Sequence, residues 1–365
     1  MTDLTLFQSG ATLAAASSHG CPAHITYLES GVVGLIQGVT ELFPVSSLGH
    51  NVLLPALIGG CWGQDLNVAA SESPYLAFIV GLHVATAIAL LIYFWKDWIR
   101  IIGGFFGSLG HMARPAPGTS RWRFRSVNEK LAWMIILATI PVGLVGLKFE
   151  HEFRVFFGKP IRAAIFLAIN GVILIAGEVF RRKASVRADQ EVLAERERER
   201  ETVAVGGQRR PGGARHAAGH QAVRAAELAD AIAADRRLAS RSYWHALVIG
   251  TSQILALLAG ISRDGVAMVA GMFSGLSRED AARFAFLLAT PVILAAGVLK
   301  IPDLFGSLGN GIHGQVLFGS ILSGVGAYLS VRFLTKYFQT RTLTPFAIYC
   351  LVVGLGSIVY LGIIK

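Results

Sequence analysis

Long apolar runs, separated by polar or charged connections, dominate the pattern of this chain. The runs at 75–95, 131–147, 163–177, 284–299, 316–331 and 343–364 each read as a helix that crosses hydrocarbon. Two further apolar stretches are broken. The stretch 34–50 starts as an apolar helix with small Gly34 and Gly38 on one face, then meets Pro44. Proline lacks an amide donor and pushes the preceding Phe43 out of the helical region. Apolar helix, proline turn and second short helix, running on to Pro55, is the pattern of a re-entrant hairpin. The run 243–260, followed by a broken element to Leu276, has the same character. Irregular backbone is tolerated at membrane depth only where it lines a protein cavity. The pattern therefore predicts an all-α polytopic membrane protein with about six transmembrane helices and two re-entrant helical hairpins.

The polar segments divide the chain. Residues 1–28 are weakly patterned and read as an N-terminal arm or a short interfacial helix. The connection 96–130 carries Arg100, Arg114, Arg121, Arg123 and Arg125 against Asp97 and Glu129, and reads as a cytoplasmic loop by the positive-inside rule. The segments 148–152 and 300–315 fall outside, and Lys336 and Arg341 mark an inside loop. Residues 181–241 are the one soluble-looking stretch. Glu and Arg alternate over 195–201, then Gly206, Gly207, Pro211, Gly212 and Gly213 interrupt. This predicts a cytoplasmic charged linker, partly helical, partly disordered, and dispensable for chemistry over 202–239.

Composition fits this reading. The chain has 365 residues, 53% hydrophobic and 15% charged, and a mean hydropathy of +0.55, unlike a soluble domain. Its net charge of +10 suits basic cytoplasmic loops facing anionic lipid. Interspersed glutamates and absent aromatics in the linker argue against a nucleic-acid partner. Cys21, Cys61 and Cys350 show no CxxC spacing and suggest neither a disulfide framework nor a metal cluster. The N-terminus lacks a basic stretch, so no cleaved signal peptide is expected.

The chain also repeats itself. Gly34-Leu-Ile-Gln37 matches Gly250-Thr-Ser-Gln253, 216 positions on. In that register Ser46 falls on Ser262, Ser47 on Arg263 and Gly49 on Gly265. The halves are 29–180 and 242–365, each a hairpin followed by three spans. Loop charges put the first hairpin outside and the second inside, which makes the repeat an inverted one. Such repeats place ligand sites near the bilayer middle, with half-helix N-termini facing an anion.

The hairpins concentrate the chemistry. Gln37 and Glu41 share a helix face, and Ser46, Ser47 and His50 follow Pro44 at once. Polar groups at membrane depth are expensive and usually functional. In the second hairpin Arg263 sits on a turn flanked by Gly260 and Gly265; its fork can hold two phosphate oxygens. Amides around Ser262 and Gly265 can complete a phosphate nest. A buried ion pair of Arg263 with Asp264 or Glu41 is the structural alternative. Glu41 and Gln37 offer oxygen ligands for Mg²⁺ or Ca²⁺ beside a diphosphate, or Glu41 is a general base. Ser47 is the hydroxyl best placed as nucleophile with His50 moving the proton, or the two roles are exchanged. His83, inside the 75–95 run, either lines the site or makes a structural hydrogen bond to a neighbouring helix.

Gln37, Glu41 and the run Pro44-Val45-Ser46-Ser47-Leu48-Gly49-His50 resemble the first motif of the undecaprenyl-diphosphate phosphatase family, the bacitracin-resistance type. Gly260, Ser262, Arg263 and Gly265 match its second motif, where Ala259 replaces a proline and Asp264 a serine. The resemblance implies an inner-membrane enzyme that hydrolyses undecaprenyl diphosphate to the monophosphate and inorganic phosphate, recycling the carrier lipid for cell-wall synthesis. It implies catalytic Ser47, His50, Glu41 and Arg263, substrate contacts from Arg263, Ser262, Gly260, Gly265 and Ser46, and a divalent cation at Glu41 and Gln37. Its partners are then the polyprenyl diphosphate and the bilayer, with bacitracin competing for the lipid and a homo-oligomer left open. The site is expected to open to the periplasmic side. The alternative class is a transporter or flippase, because inverted repeats with broken helices are also a transporter architecture.

Overall fold

A computed structural model describes residues 25–66, 74–113, 124–202, 220–306 and 309–364. Most of the expected N-terminal arm lies outside the described residues. The described residues are predominantly helical, with no strand among them. Among the described residues six helices are long and apolar enough to cross a membrane: Pro74–Tyr93, Val127–Phe149, Pro160–Ala184, Arg278–Pro302, His313–Thr340 and Thr344–Ile363. They coincide with the six runs read from the sequence.

The first hairpin is α1 (Tyr27–Thr40) and α2 (Ser47–Ile58), followed by the short α3 (Gly60–Asp65). A capping box starts α1: the Thr26 amide donates to Glu29 at 2.8 Å, and the Glu29 amide donates to the Thr26 hydroxyl at 3.2 Å. The turn through Pro44 separates α1 from α2. The first half continues with α4 (Pro74–Tyr93), α5 (Trp95–Ala113), α6 (Val127–Phe157) and α7 (Pro160–Thr202). After α8 (His220–Ala239) the second hairpin forms from α9 (Tyr243–Ser252), a 3-10 turn (Gln253–Leu257) and α10 (Arg263–Phe273). The spans α11 (Arg278–Phe305), α12 (His313–Thr340) and α13 (Thr344–Val359) follow.

Small residues let these helices touch backbone to backbone. A β-carbon on Gly34 would lie 2.4 Å from the Gly319 carbonyl oxygen, and one on Gly38 2.2 Å from that of Ser323. So α1 rides on α12 through a Gly-x₃-Gly face, as close-packed membrane helices do. Gly250, the counterpart of Gly34, does the same on the other side. Its β-carbon would lie 2.1 Å from the Ala138 carbonyl oxygen of α6. Each hairpin thus leans on the middle span of the other half. Helices α4 and α11 pack together at the centre, as do α7 and α13. Phe78, Leu82, Leu90, Phe286, Leu287 and Leu288 fill the core between them.

Three expectations change. The 96–130 connection is not all loop: α5 occupies its first part, with Ile99, Ile102, Phe106 and Leu109 exposed on the helix and Ile101 and Ser108 buried. Such a helix suits the membrane interface. The 181–241 segment is not a detached linker either. Helix α7 runs on to Thr202, and the end of α8 docks. There Asp235 is buried, accepting from Arg100 of α5 at 2.9 Å and Arg283 of α11 at 2.8 Å. Arg237 forks onto Asp280 at 2.7 and 2.8 Å, and Leu238 is buried. Residues 203–219 lie outside the described residues. Finally, Cys350 is free and buried, whereas Cys61 is disulfide-bonded.

Candidate active site

The hairpin tips meet inside the protein. Ser46 caps α2 and Ser262 caps α10, each hydroxyl accepting from the amide three residues on: Gly49 at 3.2 Å and Gly265 at 3.1 Å. Ser47 and Arg263 are therefore each the first residue of a helix. Both helix N-termini bring unpaired amides to one place, the arrangement that favours an anion. The Ser46 hydroxyl also accepts from the Gly260 amide at 3.2 Å, joining the two tips. Gly260 has φ +112°, and a β-carbon there would lie 2.4 Å from the Ala163 carbonyl oxygen, so only glycine fits.

Asn170, near the middle of the membrane-crossing part of α7, clips the tips from the side. Its amide donates to the Pro44 carbonyl at 2.9 Å and its oxygen accepts from the Ser262 amide at 3.0 Å. The sequence reading passed over Asn170, although a lone amide in an apolar span is the signal for such a role.

Glu41 is the hub. The Ser47 hydroxyl donates to its Oε2 in a short hydrogen bond, and Gln37 Nε2 donates to the same oxygen at 2.9 Å. Arg263 Nη2 donates to Oε1 at 3.0 Å. His83 Nε2 stands 3.5 Å from Oε2, while its Nδ1 donates to the Ile79 carbonyl at 2.9 Å. His83 thus lies beside Glu41, and its Nδ1 hydrogen bond stays within α4 rather than reaching a neighbouring helix. Arg263 also reaches Asp264 from Nε at 3.4 Å. The ion pairs foreseen as the structural alternative for Arg263 are present, yet they leave both Nη1 hydrogens and one on Nη2 for an oxyanion.

Two predicted residues face elsewhere. His50 does not meet Ser47: Nδ1 lies 2.7 Å from the Ser46 carbonyl oxygen and Nε2 2.8 Å from the Tyr349 hydroxyl. Gln37 turns its amide oxygen to Asn51, which donates at 2.7 Å. That oxygen is unsuited to a cation while Asn51 holds it. Among the described residues no cluster of three or more His, Cys, Asp or Glu could hold a metal. The donor set consequently fits a hard cation only at Glu41, with a ligand that brings most of the oxygens itself.

The arrangement couples a hydroxyl, its proton acceptor and a guanidinium through one carboxylate. That is the equipment for attack on a phosphorus held by the guanidinium. Comparison with known proteins gives the family and its relatives. A family model described as bacitracin resistance protein BacA matches residues 30–207 and 217–356. An undecaprenyl-diphosphatase from Mycolicibacterium paratuberculosis is 56% identical over 341 residues, covering 93% of this chain and 99% of that protein. Undecaprenyl-diphosphatase 2 from Frankia alni is 51% identical over 343 residues, covering 90% and 96%. Undecaprenyl-diphosphatase 2 from Chromobacterium violaceum is 35% identical over 338 residues, covering 91% and 98%.

Proposed function

The chain belongs to the family of bacitracin resistance protein BacA, and we propose from its site how it acts as an undecaprenyl-diphosphatase. The names of its relatives favour the hydrolase over a transporter. The observation that carries the mechanism is the Glu41 carboxylate, shared between the Ser47 hydroxyl and Arg263. The terminal phosphate of undecaprenyl diphosphate enters between the two helix N-termini, and the free donors of Arg263 hold two of its oxygens. Ser47 Oγ attacks the terminal phosphorus as Glu41 Oε2 takes its proton. The bond from phosphorus to the bridging oxygen breaks, and undecaprenyl phosphate leaves. Water then attacks the phosphoserine. Glu41 returns its proton to Ser47 Oγ as that bond breaks, and both protons of the water leave on inorganic phosphate.

Mg²⁺ or Ca²⁺ is part of the proposal, with Glu41 and substrate oxygens holding it. When bound, the ion supplies charge neutralisation. Glu41→Gln should flatten the metal titration of activity; an unchanged titration would leave Glu41 as base alone.

The surroundings support an inner-membrane enzyme with its site opening outward. The arginines of 96–130 and 181–241 suit the cytoplasm. The disulfide at Cys61 suits the oxidising outer side. The backbone contacts at Gly34 and Gly250, each on the middle span of the other half, support the inverted repeat. Bacitracin would then compete for the same lipid from outside.

Phosphate release from undecaprenyl diphosphate by purified, folded variants tests the chemistry. Ser47→Ala should lose about 10³-fold or more and Arg263→Lys about 10²-fold, because an ammonium lacks the fork. Substantial turnover by Ser47→Ala would reject serine attack.

A further inference from the structure

Ser46 is the one non-glycine residue with positive φ among the described residues, at φ +67° and ψ +98°. A β-carbon disfavours that backbone, which persists only where the surroundings hold it. Ser46 immediately precedes Ser47, so its conformation sets where the Ser47 hydroxyl points. Four hydrogen bonds from three residues hold it. Its hydroxyl accepts from the Gly49 and Gly260 amides, as described above. Its carbonyl accepts from His50, through the ring Nδ1 at 2.7 Å and the backbone amide at 3.2 Å.

A carbonyl oxygen can only accept, so the hydrogen of the ring sits on Nδ1. In the neutral ring Nε2 is then an acceptor, and the Tyr349 hydroxyl, 2.8 Å away, donates to it. The Tyr349 ring lies against His50 with planes 9° apart and centroids at 5.7 Å. Tyr349 belongs to α13, far from the hairpin in sequence. It covers the one ring nitrogen that could otherwise exchange a proton with the reacting groups.

We propose that His50 is a positioning residue rather than a proton carrier, and that Tyr349 is its partner. The Nδ1–H of His50 locks Ser46 in its strained turn and so aims Ser47 at Glu41. Tyr349 fixes the required tautomer by capping Nε2. The proposal rests on the assignment of Ser47 as nucleophile given above.

The test uses the full-length protein with undecaprenyl diphosphate in detergent. His50→Asn places an amide N–H near the position of Nδ1 and nothing at Nε2; His50→Gln reaches towards Nε2 and leaves Nδ1 empty. Asn should keep kcat within about tenfold of the unmodified enzyme, while Gln and Ala fall about 100-fold, the cost of losing a held turn. Tyr349→Phe keeps the stack and loses the hydroxyl. It should lower kcat severalfold at unchanged KM, and it should expose Nε2 to carbethoxylation by diethyl pyrocarbonate. Mass spectrometry of the His50 peptide reads this, and the unmodified enzyme should stay protected. Equal inactivity of folded Asn and Gln variants would overturn the proposal, as would a phosphoryl group trapped on His50. Modification of His50 to the same extent with and without the Tyr349 hydroxyl would overturn the capping role. Protection needs no turnover, so the capping of Nε2 by Tyr349 can be judged even if Ser47 proves not to be the nucleophile.

Discussion

Gly49 and Gly260 touch across the two hairpins: a β-carbon on Gly49 would lie 2.9 Å from the Gly260 α-carbon. This contact brings the Ser46 hydroxyl within reach of the Gly260 amide and seats the two helix N-termini side by side. Gly49→Ala must push the tips apart or shift one of them. Overpacking of this kind costs about 1–3 kcal/mol. The expected result is a protein that still folds, with a modestly lower Tm, but loses most phosphate release because Ser47 and Arg263 no longer share Glu41. Gly260→Ala adds a disfavoured φ and a clash with the Ala163 carbonyl, and should not yield folded protein. Unchanged kcat in Gly49→Ala would show that the tips need not touch for catalysis.

Much of this was legible in the chain, for physical reasons that name its gaps. Membrane spans announce themselves by length and apolarity, and Pro44 marks a turn wherever it falls. The 216-residue register put Ser46 on Ser262 and Ser47 on Arg263, and each pair takes the same helix position, cap and first residue. Spacing within a helix also placed Gln37 beside Glu41. What escaped was decided by distant partners. The direction of His50 depends on Tyr349, almost the whole chain away. The docking of α8 depends on Arg100 and Arg283, whose charges look like solvated loop or helix-end residues in sequence. A low-hydropathy Ala/Arg stretch gives no sign of a buried face held by ion pairs. The basic count of 96–130 drew attention to its charges and hid the amphipathic pattern of α5.

Asp235 carries a prediction about the linker. It is 1% exposed and accepts from Arg100 and Arg283, which also meet Asp97. Removing one member of a buried charge network strands the others, at about 3–5 kcal/mol. Asp235→Ala should therefore lower thermal stability in detergent by many degrees. Replacing 203–219 with a Gly/Ser linker of equal length should leave both stability and turnover intact. Equal stability of Asp235→Ala and the unmodified protein would mean that α8 does not need this anchor.

The inverted arrangement proposed above predicts sidedness. Three spans separate the hairpins in each half, and an odd number of crossings reverses direction. Topology reporters placed near Gly118 and Gly213 should read cytoplasmic, and one near Gly309 should read periplasmic. Cys61 should resist thiol labelling until reductant is added from outside. Reporters that all read one side would remove the inverted repeat, and with it the argument that the two helix N-termini converge from opposite leaflets.

Asp264 is one of two positions, with Ala259, where this chain departs from the motif it otherwise resembles, and its surroundings set the sign of its effect. It is 1% exposed, its Oδ1 lies 3.4 Å from Arg263 Nε, and its Oδ2 has no hydrogen-bond partner. Two carboxylates, Glu41 and Asp264, thus flank a single guanidinium. A diphosphate brings further negative charge to the same spot. The Arg263–Asp264 contact is long for a hydrogen bond, so it holds the guanidinium weakly. Like charges about 4 Å apart at a protein site interact by a few kcal/mol. Repulsion of the incoming phosphate should outweigh the lost contact. Asp264→Asn keeps the shape and removes the charge. Steady-state kinetics at fixed cation concentration should show KM falling severalfold, about 1 kcal/mol in binding, with kcat changed less. Asp264→Ser, which restores the hydroxyl of the motif, should move KM the same way. A rise of KM in both variants would show instead that Asp264 serves to hold Arg263 in place, and that the charge it adds is neutralised before substrate arrives.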